Sequence, residues 1–324
     1  MCTAVSYKTK DHYFGRTLDI YTSYDETLII TPRNYSFKFK MVRELKCHYA
    51  LVGMGTVVND YPLYFDATNE KGLSMAGLNF PDNASYKPMI HGANNVTSFE
   101  FIPYILCQCA NISEVKFLLN KLNIINVSFS PELPITPLHW LIADRNQSIT
   151  VECVKEGLKV YDNPIGVLTN NPPFDMQMFN LNMYMGLSPN APKNRFSDKI
   201  DLKPFSFGMG GLGLPGDLSS PSRFVRASFV KLNSLCGSSE SESVSQFFHI
   251  LGSVCQQKGC VIVDKEHYEH TVCTTCCNTD KGIFYYTTYE NNQITGVNMH
   301  HENLESNRLI TYPLVKGQQM RMLN

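Results

Sequence analysis

Hydrophobic positions at the start of the chain alternate with polar ones in the two-residue period of β-strands. Segments 3–7 and 13–18 are rich in β-branched and aromatic residues, and a short polar stretch separates them. This pattern predicts a β-hairpin with its turn centred on residues 10–11. Such a turn would place Cys2 opposite Asp19 on the neighbouring strand.

Similar patterns recur along the rest of the chain and predict an α+β protein. Further strands are expected at 35–39, 49–54, 72–79, 138–144, 148–154, 158–161, 166–169, 283–289 and 293–298. Helical spacing of apolar residues predicts helices at 99–110, 113–122, 223–232 and 244–251. Runs of strands and paired helices, without a regular strand–helix–strand rhythm, favour layers of mostly antiparallel sheet. No linker is evident, so we expect a single domain over residues 1–324.

Composition excludes several classes of function. The chain has 28 basic and 29 acidic side chains and 43% hydrophobic residues, so nothing in its charge favours nucleic acid. It has neither an apolar run long enough to cross a membrane nor a secretory signal. The 11 cysteines are an odd number without regular spacing, which is typical of reduced thiols. These features predict a cytoplasmic protein that binds neither nucleic acid nor membranes.

The strongest chemical candidate is Cys2, directly after Met1. Removal of Met1 would give this residue both a thiol and a free α-amino group, so that a nucleophile and a general base arrive together. An α-amino group titrates near pH 7.7–8.0 and a free thiol near roughly 8.5, so a modest push from the surroundings makes the thiol reactive. The alternative is that Cys2 is only a small residue beside the start of the chain.

Candidate partners for Cys2 lie in the predicted hairpin and at strand ends. Arg16 could stabilise a thiolate, although a solvated strand arginine is the more common outcome. Arg16 and Asp19 face opposite sides of a regular strand, so both reach one site only if the strand ends, twists or bulges near Leu18. Asparagines at strand ends, Asn79 and Asn170, could donate to an oxyanion or simply cap a turn.

A second cluster offers a different interpretation. Cys273, Cys276 and Cys277 follow His267 and His270, and these are residue types that bind zinc. The spacing is compressed and a second pair of closely spaced cysteines is missing, so reduced cysteines on a strand are favoured and no metal is expected. A metal-binding or interaction protein without catalytic activity remains the alternative from another class.

Several segments together resemble the choloylglycine hydrolase family of N-terminal-nucleophile hydrolases, which comprises bile salt hydrolases and penicillin V acylases. The similarity runs nearly end to end, and its motifs are residues 1–19, the segments around Asn79 and Asn170, LPGD at 214–217, PSRF at 221–224, TPLHW at 136–140 and YTTYENN at 286–292. The resemblance implies a four-layer αββα sandwich of two mostly antiparallel sheets between helical layers. Thr17 and Leu18 depart from the asparagine and methionine common in the family.

The resemblance also implies functional residues. Six matching positions would be catalytic, namely Cys2, Arg16, Asp19, Asn79, Asn170 and Arg223. Cys2 would be the nucleophile, Arg16 and Arg223 would hold the thiolate environment, and Asp19 would orient the α-amino group. Asn170 and the backbone amide of Asn79 would form the oxyanion hole.

Asn79 is typical of the bile salt hydrolases, where penicillin V acylases have tyrosine. The expected substrates are therefore glycine- or taurine-conjugated bile acids, and the rival is penicillin V acylase or another N-acyl amide hydrolase. An apolar groove for the steroid could be lined by Ile20, Tyr24, Phe65, Leu133, Ile135 and Leu138, although core packing explains most of these equally well. No cofactor is implied, and family members are often homotetramers.

Overall fold

The computed structural model describes residues 1–324. Most of the chain is organised in strands, which in order are β1 (Cys2–Lys8), β2 (His12–Ile20), β3 (Thr27–Thr31), β4 (Leu51–Val58), β5 (Tyr61–Asn69), β6 (Ser74–Asn79), β7 (Asn94–Thr97), β8 (Leu122–Ile125), β9 (Leu138–Ala143), β10 (Ser148–Val154), β11 (Gly157–Asp162), β12 (Val167–Leu168), β13 (Val261–Ile262), β14 (Tyr268–Asn278), β15 (Ile283–Thr288), β16 (Asn291–Asn298) and β17 (Ile310–Pro313). The helices are α1 (Phe101–Leu106), α2 (Ile112–Leu119), α3 (Phe174–Asn180), α4 (Ser220–Asn233) and α5 (Glu240–Gly252). None of them has the length and apolar character needed to span a bilayer.

Two antiparallel sheets face each other. The first has the order β12-β1-β2-β14-β15-β16, with β13 on β14, and the second has the order β11-β10-β9-β6-β5-β4-β3-β17. Because successive side chains of a strand point to opposite faces, the second sheet contributes residues to two hydrophobic cores. Leu28 and Ile30 point toward the first sheet, whereas Ile29 points toward α1 and α2. Helices α4 and α5 cover the other face of the first sheet. The layers are therefore helix, sheet, sheet, helix, as the family resemblance implies.

The hairpin of β1 and β2 has a different register from the predicted one. Lys8 pairs with His12 across a three-residue loop, so Cys2 lies opposite Leu18 rather than Asp19. The loop is tightened by a hydrogen bond from the Thr9 N–H to the Asp11 carbonyl (2.9 Å). The predicted two-residue turn at 10–11 is therefore wrong. The resulting one-residue shift of register decides which side chains share a face with Cys2.

A glycine in β2 permits the close approach of the neighbouring strand β14. A Cβ atom on Gly15 would lie 2.0 Å from the backbone oxygen of Thr275 in β14. Only glycine fits at such a distance. This contact brings β14 directly against Arg16, the next residue of β2.

Candidate active site

Cys2 begins β1 inside the molecule, with 3% of its surface exposed. Its Sγ accepts a hydrogen bond from Nη2 of Arg16. Because Cys2 pairs with Leu18 and Ala4 pairs with Arg16, the cysteine and the arginine are diagonal neighbours on one face of the hairpin. The observed register therefore achieves the contact that the predicted register would have prevented.

Arg16 is buried and is held from both sheets. Its Nη1 donates to the carbonyls of Phe65 (3.0 Å) and Gly77 (2.5 Å), and its Nε donates to the carbonyl of Thr17 (3.2 Å). These carbonyls fix the plane of the guanidinium, so its remaining donor points at the Cys2 sulfur. A fixed cation beside a thiol favours the thiolate form.

Asn170 follows β12 and lies beside Cys2 because β12 pairs with β1. Ala4 pairs with Leu168, and the same antiparallel register continued by two residues brings Asn170 opposite Cys2. The Cys2 N–H donates to Oδ1 of Asn170 (2.8 Å), and Nδ2 of Asn170 donates to the carbonyl of Asn79 (2.7 Å). A primary amide carries two N–H bonds, so Asn170 keeps one further donor for a ligand.

Asn79 ends β6, and its side chain is exposed. In an extended strand the N–H and C=O of one residue point to the same side. Since the Asn79 carbonyl accepts from Asn170, the Asn79 N–H faces the same space. Two donors, one from a side chain and one from the backbone, can thus converge near the Cys2 sulfur.

Arg223 in α4 contacts the backbone on the other side of Cys2. Its Nη1 donates to the Cys2 carbonyl (2.6 Å) and to Oγ1 of Thr3 (2.7 Å), and its Nη2 donates to Oδ1 of Asn170 (2.8 Å). Burial lowers the pKa of the Arg223 guanidinium, and the charges of Asp19 and Cys2 partly oppose this. Arg223 therefore holds Cys2 and Asn170 together rather than contacting the sulfur.

Asp19 is fully buried but faces away from the sulfur, as its strand parity requires. Its carboxylate accepts from Oγ1 of Thr17 (3.1 Å) and Oγ1 of Thr271 (2.6 Å), and it lies 3.9 Å from Nη1 of Arg223. The Thr17 hydroxyl in turn accepts from the Thr3 N–H (3.1 Å). Sequence reasoning missed the positioning contacts of Thr17 and Thr271, because hydroxyl residues on strands carry no distinctive pattern.

Met1 extends the pairing of β1 by one residue. Its nitrogen donates to the carbonyl of Asp19 (2.8 Å) and to the Glu269 carboxylate, and its carbonyl accepts from the Asp19 N–H (3.1 Å). With Met1 attached, the Cys2 nitrogen is an amide and lacks the basicity of an amine. The general base proposed from sequence therefore exists only after Met1 is removed.

The residues predicted to line an apolar groove are divided between strands and loops. Ile20 ends β2, Phe65 lies in β5, and the Phe65 ring is 6.1 Å from that of Tyr24, which is half exposed. Leu138 begins β9 opposite Asn79. The remaining two, Leu133 and Ile135, lie in the loop that leads into β9.

The cysteine cluster lies on β14 and does not converge. Cys273 and Cys277 point to the face opposite that of Cys276, because strand side chains alternate. All three are buried, and burial raises the pKa of each thiol. No group of three or more histidine, cysteine, aspartate or glutamate side chains in the protein could hold a metal ion.

Asp66 in β5 has a buried carboxyl group that lies beside Thr275 of β14 and near Arg16. Its Oδ2 accepts from Oγ1 of Thr275 (2.9 Å), whereas its Oδ1 has no partner. Burial raises the Asp66 pKa to about 7, although the charge of Arg16 and the bond from Thr275 act in the opposite direction. The folded protein thus binds this proton more tightly than the unfolded chain, whose aspartates titrate near roughly 3.9.

The raised pKa predicts a pH-dependent stability. The contribution of the Asp66 carboxyl group to the free energy of unfolding is fully present below about pH 4 and is lost as the pH rises through about 7. Asp66→Asn cannot ionise. As the pH rises from 4 to 8, we expect the unfolding free energy of this variant, relative to that of the natural protein, to increase by about 2–4 kcal/mol. Urea unfolding at both pH values measures this gain, with Asp82→Asn at an exposed position as the control. An equal effect of Asp66→Asn at both pH values would contradict the prediction.

A cysteine at the start of an inner strand of an αββα sandwich defines the class of N-terminal-nucleophile hydrolases. Residues 2–312 match the family described as linear amide C–N hydrolases, choloylglycine hydrolase family. The bile salt hydrolase/transferase of Lactiplantibacillus plantarum is 55% identical over 324 residues, which are 100% of each chain. The chain belongs to the choloylglycine hydrolase family.

Solved structures agree with this assignment. The mutant C2A conjugated bile acid hydrolase from Clostridium perfringens has a TM-score of 0.92 and 40% identity, covering 100% of each chain. Penicillin V acylase from Agrobacterium tumefaciens has the same fold, with a TM-score of 0.74 and 21% identity over 97% of this chain and 92% of that chain. The predicted family, the α+β sandwich and the amide hydrolase class are confirmed.

Proposed function

We propose that the protein hydrolyses the amide bond of glycine- and taurine-conjugated bile acids, with Cys2 as the nucleophile once Met1 is removed. The observation that carries the proposal is the bond from Arg16 to the Cys2 sulfur, with Asn170 directly beside it. The function predicted from the sequence agrees with the names of the relatives, which are bile salt hydrolases and conjugated bile acid hydrolases.

Nucleophile activation uses two groups. The free α-amino group of processed Cys2 accepts the thiol proton, and Arg16 stabilises the resulting thiolate. Arg223 holds the Cys2 carbonyl and so fixes the backbone that carries the nucleophile. Asp19, held by Thr17 and 3.9 Å from Arg223, supplies the nearby negative charge that favours the ammonium form.

Bond cleavage passes through a tetrahedral intermediate. The sulfur attacks the amide carbon, and the oxyanion receives hydrogen bonds from Nδ2 of Asn170 and the N–H of Asn79. The ammonium group of Cys2 then protonates the leaving nitrogen, and glycine or taurine departs. A water molecule, deprotonated by the amino group, cleaves the thioester and releases the free bile acid.

The acyl group is recognised by the partly apolar surface near the nucleophile. Ile20, Phe65 and Leu138 lie on strands that contribute to the site, and Tyr24 packs against Phe65. A rigid steroid offers a large apolar face to such a surface. Penicillin V and other N-acyl amides would use the same chemistry with a smaller acyl group.

Steady-state kinetics on a panel of amides test the proposed substrate. The processed enzyme is assayed with glycocholate, taurocholate and phenoxymethylpenicillin, and Cys2→Ala serves as the inactive control. We expect kcat/KM for the better conjugate to exceed that for the penicillin by at least about 10²-fold. A preference for the penicillin would make the protein an acylase of the rival type.

A cytoplasmic homotetramer completes the proposal. The end of α3 and the segment that follows it up to α4 carry apolar side chains that are mostly exposed in one chain, and a monomer rarely tolerates such a surface. They are Phe179, Met183, Met185, Phe196, Phe205 and Phe207. A second copy of the chain would cover them through a symmetric contact, and sedimentation velocity distinguishes four chains from one.

A further inference from the structure

His139 is a fully buried histidine of β9 that no step of the proposed reaction uses. Its Nδ1 lies 2.9 Å from Oε1 of Glu152, and its Nε2 lies 2.8 Å from the carbonyl oxygen of Thr169. Its ring stacks on that of Phe80, with centroids 4.2 Å apart and planes at 5°. Every polar contact of this side chain is therefore fixed.

The hydrogen-bond chemistry assigns one proton of this histidine. A carbonyl oxygen can only accept, so the bond to Thr169 requires a proton on Nε2, and Nδ1 shares a proton with the Glu152 carboxyl group. Oε1 of Glu152 also accepts from the Phe174 N–H (3.0 Å), whereas its Oε2 is buried without a partner. His139 thus links the Glu152 carboxyl group to the Thr169 carbonyl, and the side chains of His139 and Glu152 are both 0% exposed.

The position of the ring relates it to both oxyanion donors. Phe80 directly follows Asn79, and Thr169 directly precedes Asn170. One face of the ring therefore supports the first donor segment, and its Nε2 holds the second. Further bonds hold the Asn170 backbone, since its N–H donates to Oγ of Ser220 (2.8 Å) and its carbonyl accepts from Nε2 of Gln177 (2.6 Å).

We propose that His139, held by Glu152, is a positioning residue that sets the separation of the Asn79 and Asn170 donors. The inference rests on the proposed function, because it assigns those two groups to the oxyanion. His139 contacts no reacting atom in this account. A displacement of the donors by about 1 Å suffices to lower the rate by about 10²-fold.

Two variants and two rates test the proposal. His139→Gln and Glu152→Gln are assayed with the best amide of the panel, and Cys2 alkylation by iodoacetamide is followed separately. Alkylation displaces iodide from an sp³ carbon and forms no oxyanion, so it reports the thiolate alone. We expect kcat to fall by about 10- to 100-fold with KM within threefold, while the alkylation rate changes less than twofold.

Trp140→Phe is the matched control. Trp140 is the next residue of β9, is fully buried on the opposite face, and its indole N–H has no partner, so the change disturbs the core without breaking a hydrogen bond. This variant should retain kcat within about threefold. An equal loss in Trp140→Phe, a parallel loss of alkylation in the glutamine variants, or an unchanged kcat in them would overturn the proposal.

Neutron diffraction of the unmodified protein provides a test that does not require any variant to fold. Deuterium on Nε2 of His139 and a single deuterium between Nδ1 and the Glu152 carboxyl group are expected, and an Nε2 without deuterium would refute the bridge to Thr169. Failure of the proposed function has a different signature, because an unmodified enzyme without activity on any conjugated bile acid would contradict the substrate assignment alone.

Discussion

Replacement of Cys2 by serine should lower kcat/KM by at least about 10⁴-fold, the typical cost of losing a nucleophile that acts with its base. Serine keeps the shape of the side chain and the free α-amino group after processing. Its hydroxyl is far less acidic than a thiol, so the contact with Arg16 cannot yield a comparable anion. Initial rates of glycine or taurine release measure the loss.

The matched control for this prediction is Cys47→Ser. Cys47 is an exposed cysteine in the loop between β3 and β4 and makes none of the contacts described for the site, so kcat/KM should stay within about twofold of the natural value. Cys2→Ala should be as inactive as Cys2→Ser. Activity above about one hundredth of the natural rate in the alanine variant would show that another group attacks the amide.

Replacement of Asn170 by alanine should lower kcat by about 10²- to 10³-fold, the usual effect of removing one oxyanion donor. KM should change much less, because the donor acts mainly when the carbonyl oxygen becomes charged. The alanine variant also loses the acceptor shared by the Cys2 N–H and Arg223. Steady-state kinetics with a conjugated bile acid separate kcat from KM.

Asn170→Asp separates the two roles of this side chain. Aspartate keeps an acceptor for Arg223 but lacks the N–H donors, and its charge repels an oxyanion. We expect its kcat to be no higher than that of Asn170→Ala. Asn171→Asp is the control, since the Asn171 amide bonds to Pro81 and Asn83 rather than to Cys2. Near-natural kcat in Asn170→Asp would mean that Asn170 only holds the backbone.

The local pattern of hydrophobic and polar residues was sufficient to predict much of the fold. The long strands β6, β9, β10 and β15 follow the predicted alternation, and α4 and α5 extend the predicted helices 223–232 and 244–251 by a few residues. The strand predicted at 35–39 is wrong, because Phe37 makes only an isolated bridge to Leu45. Strands β3 and β5 were missed, since their side chains fill two cores and their polar ends obscure the alternation.

The site was less accessible to local reasoning. The contact between Cys2 and Arg16 depends on a three-residue loop, and the residues alone do not distinguish it from a two-residue turn. Asn170 reaches Cys2 only because β12 pairs with β1 across more than 160 residues of chain, so its role came from the family resemblance. The bridge from His139 to Thr169 has no local pattern at all.

Peptide mass spectrometry of active enzyme, treated with iodoacetamide for increasing times, tests the central claim most directly. The N-terminal peptide should begin at Cys2 rather than Met1, and its fraction of alkylated Cys2 should equal the fraction of activity lost. Exposed cysteines such as Cys47 and Cys260 will also be labelled, but without this correlation. Full activity in molecules that retain Met1 or carry alkylated Cys2 would contradict the account.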